Sequence, residues 1–384
     1  MRGHRALRLL FLACDFPPAF GGIQKLNHGL CRALVGLGHD VRVIATTQPG
    51  AADFDRGSPV PTVRFHAGSR LGSALALGRL LRRELAAGFA PDAIIATKWS
   101  PEGHGYLASR RRDVPMILMG YGREFLPERS RPVRALAQRA VLRAASGAIV
   151  ISRYTADQMA AAGMARDRIR IVPPGVDPDE FRPVPDLDAA RRQTGFPAAP
   201  TLLTISRLVR RKGIDTVIQS LAILADHIPE VQYVVIGGGE DHKRLADLAD
   251  RLGVADRVHL LGSMPDAHKA ACLELCEVFV MASRDIPSEP PEGFGIVYLE
   301  ANLCGKPVIA ARTGGVEDAV EHGLNGLLAE PDRPDQVAAA AIRLLANPQD
   351  ARQMGERGRQ RVLDRFTWEA IAPQFVASVQ SLTA

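Results

Sequence analysis

The stretch PEGFGIVYLEANLCGKPVIA, residues 291–310, contains a helix followed by a buried strand. Helix signals begin after Gly295 and cover residues 296–303, and the apolar residues 308–311 form a strand without polar alternation. Continuous apolar strands of this kind are typical of a parallel sheet that helices cover on both faces. The stretch therefore predicts an α/β fold built from repeated strand–helix units.

The same alternation extends in both directions from this stretch. Helical periodicity fills most gaps between the strands, for example at 23–36, 71–86 and 133–144. The predicted strands are 9–14, 41–46, 63–66, 93–97, 116–119, 148–152 and 169–172 in the first half, and 202–206, 231–237, 258–262, 278–282 and 308–311 in the second. Between the halves, VPPGVDPDEFRPVPD (172–186) has five prolines and no period, so it is predicted to link two domains.

Composition limits the possible functions. The chain has 384 residues, enough for two α/β domains, and 46% of them are hydrophobic, as in a globular protein. Arg8 interrupts the apolar stretch at the start, which favours a first buried strand over a signal peptide. Residues 1–180 carry a net charge of +11 and residues 181–384 a net charge of −5, which predicts different partners for the two halves.

The cysteines indicate a reducing compartment. They are odd in number and scattered, and none has partners at metal-site spacing. They are therefore predicted to be reduced core thiols in a cytoplasmic protein. The five are Cys14, Cys31, Cys272, Cys276 and Cys304.

Two stretches that follow predicted strands suit an anion. In PPAFGGIQKLNHG (17–29), Gly21 and Gly22 open a helix directly after the first strand, where backbone N–H groups face outward. The other reading is that these glycines only shape the turn. In ISRLVRRKG (205–213), Arg207 and Lys212 follow a strand and offer a bidentate donor and a point charge, which suit a diphosphate. A solvated basic loop is the alternative there.

Two glutamates flank the helix of the opening stretch. Glu292 precedes it and Glu300 lies within it. Eight residues of helix would separate them by about 12 Å, more than the roughly 5–9.5 Å between the two carboxylates of a glycosidase. They are therefore predicted to contact different parts of one elongated ligand, while amides at Gly295, Ile296 and Val297 face an anion between them. A nucleotide sugar has this form.

Taken together, these motifs resemble those of retaining glycosyltransferases of family four, which include bacterial phosphatidylinositol mannosyltransferases. The resemblance rests on SRLVxRKG, IGGGED, VHLLG and EGFGIVYLEAxxCGxPVIAxxxGG, and it is stronger in the second half. It implies the GT-B fold, two doubly wound Rossmann-like domains that face each other across a cleft. RFTWEAIAPQF (365–375) is similar to the segment that returns to the first domain, so the expected domains are 1–178 completed by 366–384, and 179–365.

The family implies a role for each matching residue. The donor diphosphate would be bound by Arg207 and Lys212, assisted by Gly22 and the amides of Ile296 and Val297. Glu300 would bind the ribose hydroxyls, and backbone near Met264 would frame the base. Glu292 would bind the transferred sugar and support the charge that develops at its anomeric carbon. The donor phosphate would take the acceptor's proton, so that positioning and electrostatics carry the catalysis.

One position departs from the family pattern. Many relatives have a histidine after the strand at 116–119, near the donor sugar, but this sequence reads MGYGRE and places Tyr121 there. A tyrosine still donates a hydrogen bond, so Tyr121 is retained as a candidate catalytic residue. His104 in SPEGHGY is a candidate substitute, although a lone histidine in a glycine-rich loop is more often a surface residue.

No cofactor is expected beyond the nucleotide-sugar donor. The DFD triplet at Asp53–Asp55 is similar to the metal-binding carboxylates of another glycosyltransferase class, but it lies in a Gly- and Pro-rich segment and is interpreted as a solvated loop. Relatives with this fold generally need no metal. The rival functions are a nucleotide-sugar epimerase or hydrolase of the same fold, and a non-catalytic nucleotide-sugar-binding scaffold.

The acceptor is expected to bind the basic first half. Arginines concentrate in ASRRRDV (108–114) and in residues 122–145, where Phe125, Leu126, Val133, Leu136 and Leu142 lie among them. This pattern predicts peripheral attachment to anionic lipid. The resemblance implies that the first domain binds the acceptor, a small molecule or a lipid at the cytoplasmic membrane face. A solvated helix with charge for solubility is the alternative. Nucleic acid is not expected, because no binding module is present.

Overall fold

The computed structural model describes residues 5–19, 21–122, 132–287, 289 and 291–384. The chain divides into two compact units, Met1–Gly175 with Trp368–Ala384, and Val176–Thr367. They are called here the N-terminal unit and the C-terminal unit. The first boundary between them falls inside the proline-rich stretch 172–186.

The described part of the N-terminal unit forms one seven-stranded sheet, and every strand pair in it is parallel. The strands are β1 (Arg8–Leu12), β2 (Asp40–Thr46), β3 (Thr62–Phe65), β4 (Ala93–Ala96), β5 (Met116–Gly120), β6 (Gly147–Val150) and β7 (Ile169–Ile171). The helices are α1 (Gly22–Gly36), α2 (Ala51–Gly57), α3 (Arg70–Ala86), α4 (His104–Ser109), α5 (Pro132–Ala144) and α6 (Arg153–Ala161). The strand order is β3-β2-β1-β4-β5-β6-β7.

The C-terminal unit forms, in its described residues, a six-stranded parallel sheet of order β10-β9-β8-β11-β12-β13. The strands are β8 (Thr201–Ile205), β9 (Gln232–Ile236), β10 (Val258–Leu260), β11 (Val278–Met281), β12 (Val308–Ala311) and β13 (Gly326–Ala329). The helices are α7 (Leu187–Thr194), α8 (Ile214–Leu224), α9 (His242–Arg251), α10 (Asp266–Leu275), α11 (Ile296–Leu303), α12 (Val316–Ala319), α13 (Pro334–Ala346) and α14 (Pro348–Arg365).

A last helix, α15 (Trp368–Thr383), belongs to the N-terminal unit and packs on α1. Phe375 stacks on Phe11 of β1 with ring centroids 6.2 Å apart. The indole of Trp368 lies so close to Gly29 and Gly175 that a Cβ at either glycine would come within 2.5 Å of it. Two glycines are therefore needed to seat the tryptophan that anchors the returning helix.

Two elements differ from the sequence prediction. Strand β13 was not expected, because its four residues include Gly326, whose missing side chain lets it approach the carbonyl of Val308. The interpretation of Asp53–Asp55 as a loop is wrong, because these residues lie in α2. Phe54 of this helix packs against the rings of Phe16 and His28, a tertiary contact that seven residues of local sequence do not reveal.

The strand order places a switch point in each sheet. The chain reverses its direction of travel between β1 and β4 in one sheet, and between β8 and β11 in the other. Loops that leave adjacent strands at such a point diverge to opposite faces and open a crevice, which is where open α/β sheets bind ligands. The two loops after β8 and β11, together with helix α11 that follows the second loop, carry most of the predicted site residues.

Candidate active site

Lys212 and Glu292 meet at the switch point of the C-terminal unit. Lys212 lies in the loop after β8, Glu292 lies in the loop after β11, and these two strands are neighbours. The Nζ atom of Lys212 is 2.5 Å from Oε2 of Glu292. Both side chains are largely buried, with 12% and 15% of their surface exposed. Strand order therefore brings together two predicted site residues that are 80 positions apart in the chain.

Arg211 is a second cation on the same carboxylate, and sequence reasoning did not single it out. Its Nη1 is 3.3 Å from Oε2 of Glu292, and its Nε is 3.8 Å from a carboxylate oxygen of Glu289. Only 14% of the Arg211 side chain is exposed. The RRK triplet in the motif carried the signal, but nothing in the triplet distinguishes the buried arginine from Arg210, which is exposed.

Burial and neighbouring charges shift the pKa values of both Glu292 and Lys212. Burial by itself raises the pKa of the Glu292 carboxyl, but the charges and hydrogen bonds of Lys212 and Arg211 outweigh burial and hold that pKa below its ordinary value. Burial lowers the pKa of the Lys212 ammonium, and Arg211 adds to the effect, while Glu292 opposes it. The carboxylate is thus kept ionised in a site with little solvent.

The glycine after the cations fixes their loop against the sheet. Gly213 has a φ of +66°, and a Cβ at this position would lie 1.7 Å from the carbonyl oxygen of Ala282, just after β11. The backbone N–H of Arg284 also donates to the carbonyl of Arg211 at 2.9 Å. Because the two loops share these contacts, the backbone that carries Lys212 is held next to the loop after β11.

The loop that carries Glu292 is held from two sides. The N–H of Gly315 donates to the carbonyl of Glu292 at 2.8 Å, and a Cβ on Gly314 would come within 2.1 Å of the same oxygen. On the other side, Gly295 precedes α11 with a φ of +90°. The hydroxyl of Tyr298 in this helix donates to the carbonyl of Met281 at the end of β11, at 3.0 Å. The glycines of the motif therefore serve close packing.

The other predicted donor-site residues lie on the loops and helix ends of the same unit. Arg207 is exposed, and its guanidinium makes no hydrogen bond or ion pair with any residue that the structure describes. Ile296 and Val297 open α11, Glu300 is half-buried in its second turn, and Met264 is half-buried between β10 and α10. Their contacts with a donor stay predictions.

An ion-pair network supports the basic loop from behind. Asp215, in the first turn of α8, accepts from Arg244 at 3.0 Å and also pairs with Arg284. Arg284 donates further to the hydroxyl of Thr216 at 2.8 Å. Because the backbone of Arg284 holds the carbonyl of Arg211, the network connects α8 and α9 to the loop that presents Lys212. No sequence motif indicated these pairs.

The predicted residues of the N-terminal unit surround the exit of β1. Gly21 is exposed and precedes α1, which begins at Gly22. Tyr121 follows β5 and is buried, and its hydroxyl donates to Oδ1 of Asn27 on α1. Asn27 in turn donates to the carbonyl of Asp15 at 2.9 Å. Tyr121 thus supports the loop after β1, and its predicted catalytic role stays a prediction.

Glu102 lies at the same place and was missed by sequence reasoning, which had chosen His104 from this segment. The Glu102 side chain is fully buried, and its Oε1 accepts from the N–H of Cys14 at 3.1 Å. Burial raises the pKa of its carboxyl, against the opposing charge of Lys98. His104 instead packs edge-on against Trp99, with centroids 5.4 Å apart, and burial lowers its pKa.

Comparison with known proteins identifies the family. Residues 187–361 match the profile described as glycosyl transferases group 1, and residues 20–180 match that of glycosyltransferase family 4. The chain is 32% identical over 370 residues to the GDP-mannose-dependent alpha-(1-6)-phosphatidylinositol monomannoside mannosyltransferase of Mycolicibacterium smegmatis, covering 94% of this chain and 95% of that protein. The chain belongs to glycosyltransferase family 4.

Two further similarities refine this assignment. The D-inositol 3-phosphate glycosyltransferase of Thermobispora bispora is 31% identical over 385 residues, with 92% of this chain and 88% of that protein covered. The crystal structure of Anabaena HepE in complex with UDP and glucose superposes with a TM-score of 0.81 at 23% identity, covering 98% of this chain and 100% of that one. The fold of this glycosyltransferase is therefore GT-B, as the sequence predicted.

The carboxylates of the DFD triplet are paired with arginines in this glycosyltransferase. Asp53 pairs with Arg56, and Asp55 pairs with Arg64 at 2.6 Å. Across the described ranges, no group of three or more His, Cys, Asp or Glu residues is placed to hold a metal ion. Metal-independent transfer stays a prediction.

The basic segments differ in what they expose. In 108–114, Arg111 pairs with Asp113 at 2.6 Å and Arg112 packs over the ring of Tyr106, so these arginines are engaged locally. In α5, Val133 and Leu136 are 82% and 67% exposed. Phe125 and Leu126 lie outside the described residues. None of the described helices is both long enough and apolar enough to cross a membrane.

Proposed function

We propose that this glycosyltransferase moves mannose from GDP-mannose to an inositol phosphate head group carried by a membrane lipid, with retention at the anomeric carbon. The relatives support the donor and the acceptor, because one is named as a GDP-mannose-dependent phosphatidylinositol monomannoside mannosyltransferase and another as a D-inositol 3-phosphate glycosyltransferase. The observation that carries the proposal is the largely buried ion pair of Lys212 and Glu292 at a switch point. A lysine there is suited to binding a phosphate, and the carboxylate beside it is suited to contacting the sugar.

The donor diphosphate is assigned to the basic loop and to α11. Arg207 has a free guanidinium for bidentate contacts, as judged over the described residues, and Lys212 supplies a point charge. Ile296 and Val297 add backbone N–H groups at the start of a helix, where the dipole favours an anion. Gly21, which precedes α1, and Gly22, its first residue, are also proposed to bind the diphosphate.

The nucleoside is assigned to Glu300 of α11 and to the segment between β10 and α10. Glu300 accepts hydrogen bonds from the ribose hydroxyls, and backbone near Met264 frames the base. Asp266, two residues further on, has an exposed carboxylate at the start of α10, where it pairs with Lys269. Because guanine presents two adjacent N–H donors and uracil presents one, a carboxylate at this position favours GDP over UDP.

Glu292 would support the reaction at the anomeric carbon. The bond from that carbon to the donor phosphate breaks with its electron pair on GDP, and the acceptor oxygen forms the new bond on the same face. The acceptor proton passes to the departing phosphate oxygen. Glu292 hydrogen-bonds the sugar and offsets the positive charge of the transition state, while Lys212 and Arg207 neutralise the charge that accumulates on GDP.

The lipid acceptor is assigned to a membrane surface beside α5. Val133 and Leu136 expose apolar side chains next to Arg139 and Arg143 in the same helix. Apolar residues that insert among lipid head groups and cations that attract anionic lipid act together, and each cation near the surface contributes about 1 kcal/mol. Locally paired arginines, such as Arg111, would contribute less.

Glu292→Gln tests the catalytic role directly. Turnover of GDP-mannose with vesicles that contain phosphatidylinositol monomannoside should fall by about 100-fold or more, the scale of one lost transition-state contact. The GDP dissociation constant should stay within about twofold, because the change removes no phosphate ligand. Glu317→Gln, the same substitution at an exposed carboxylate of this unit, should behave as wild type.

The same assay separates the rival functions. If Glu292→Gln retains full turnover, the role of Glu292 is wrong. Release of free mannose without labelled lipid would indicate a hydrolase, and GDP binding without either product would indicate a scaffold. A thermal-shift panel of GDP, UDP and ADP identifies the base, since a ligand at 100 times its dissociation constant adds about 2.7 kcal/mol of stability.

A further inference from the structure

Arg211 has no role in the donor-binding assignment, yet it is buried on the catalytic carboxylate. We propose that Arg211 is a positioning residue that keeps Glu292 charged and in place while the donor diphosphate occupies Lys212. The inference rests on the proposed function, because it concerns the same site during turnover.

The geometry gives Glu292 two cations on a single oxygen. Nζ of Lys212 and Nη1 of Arg211 lie 2.5 Å and 3.3 Å from Oε2 of Glu292. The hydroxyl of the buried Tyr298 donates to the carbonyl of Met281, so it does not take the place of either cation as a partner of Glu292. If one of the two cations leaves, the other remains as the charged partner of the carboxylate.

Lys212 is the cation that a diphosphate draws away. A lysine ammonium is a mobile point charge on a flexible stem, and a diphosphate carries more negative charge than one carboxylate. Arg211 is more constrained, because it lies between the carboxylates of Glu292 and Glu289 and its backbone carbonyl is fixed by Arg284. The arginine therefore stays with the carboxylate while the lysine binds phosphate.

Without Arg211, no free cation among the described residues would stabilise the negative charge of Glu292 while the donor is bound. The charged partner that remains is then Lys212, which the donor occupies. Glu289, in the same loop, also contacts Arg211, so the loss of Arg211 leaves both carboxylates without that cation. An opposite charge within hydrogen-bonding distance lowers the pKa of a carboxyl by about 1–3. Removing Arg211 should therefore raise the pKa of Glu292, and the acid limb of the kcat–pH profile should move to higher pH by a similar amount.

Arg211→Gln is the test, with Arg210→Gln as a matched control. Arg210 is the adjacent, exposed arginine of the same loop. We expect Arg211→Gln to bind GDP within about twofold of wild type, to lose kcat by about tenfold or more, and to shift the acid limb upward. Arg210→Gln should match wild type in all three. Arg211→Lys, which keeps the charge, should recover part of kcat and return the acid limb toward that of wild type.

The outcomes are distinct. An acid limb in Arg211→Gln that coincides with that of the Arg210 control overturns the inference. Lys212→Gln is measured alongside these variants. A loss of GDP affinity in Arg211→Gln as large as that in Lys212→Gln also overturns the inference, because Arg211 would then be a phosphate ligand. A wild-type protein that neither binds GDP nor transfers mannose refutes the proposed function, and the inference fails with it. Circular dichroism of each variant separates these results from misfolding.

Discussion

Replacing Gly213 with alanine should disrupt the basic loop through backbone contact alone. Gly213 has a φ of +66°, and the new Cβ would lie 1.7 Å from the carbonyl oxygen of Ala282. The left-handed conformation costs a non-glycine residue about 1–2 kcal/mol. Forcing atoms into a packed contact typically costs a further 1–3 kcal/mol. Gly213→Ala should therefore lower the free energy of unfolding by about 2–5 kcal/mol.

Gly195 provides a matched control in the same unit. It has a φ of +71°, and a Cβ there would meet no atom within 4 Å. Gly195→Ala should thus show the conformational cost alone, about 1–2 kcal/mol. The difference between the two variants, about 1–3 kcal/mol, isolates the steric contact.

Differential scanning calorimetry measures both variants. For a unit of this size each kcal/mol moves the midpoint by about 2–4 °C, so Gly195→Ala should lower Tm by about 2–8 °C and Gly213→Ala by about 4–20 °C. Gly213→Ala should also bind GDP more weakly, because the loop that presents Lys212 has to move away from β11. Equal Tm losses in the two variants, with GDP affinity retained, would refute the reasoning.

Three further changes probe other parts of the site. Lys212→Ala should weaken GDP binding by about 1.5–3 kcal/mol, the value of a charged hydrogen bond. Titration calorimetry measures this loss, with Arg210→Ala as the control. If both variants bind GDP equally well, Lys212 is not a ligand of the diphosphate. Because burial raises the pKa of Glu102, folding stability should fall as pH rises from about 4.5 toward that higher pKa. Glu102→Gln should flatten this decline, as measured by urea unfolding, and an unchanged slope would contradict the prediction. Tyr121→Phe leaves Oδ1 of the buried Asn27 without its donor and should cost about 1–3 kcal/mol in the same assay, whereas an unchanged stability would make the bond unimportant.

Much of the fold could be predicted because the local periodicity of apolar residues indicates which side chains are buried. Twelve of the strands in the described chain lie where the sequence predicted them. Most of these were predicted from continuous apolar runs, since a strand covered on both faces has few polar positions. The exceptions are informative. Strand β13 is short and begins at a glycine, and α2 is a seven-residue helix that a tertiary contact between Phe54 and Phe16 supports.

The candidate site was predictable in its motifs and less so in its contacts. Lys212 and Glu292 were singled out because each follows a strand in a glycine-containing motif, and the structure brings them together. Arg211 and Glu102 were missed because a charged residue in a basic or glycine-rich loop resembles a solvated one. Tyr121 was assigned because it occupies the position where many relatives have a histidine. Its hydroxyl donates to Asn27, and its catalytic role stays a prediction.

The sequence by itself determined the α/β class, which depends on periodicity, and the family, which depends on the residues and spacings of its motifs. Only the tertiary structure decided which of the clustered cations is buried on Glu292 and which is exposed. The physical reason is that strand order, not sequence distance, sets which loops meet. Residues 80 positions apart share one carboxylate oxygen because β8 and β11 are hydrogen-bonded neighbours.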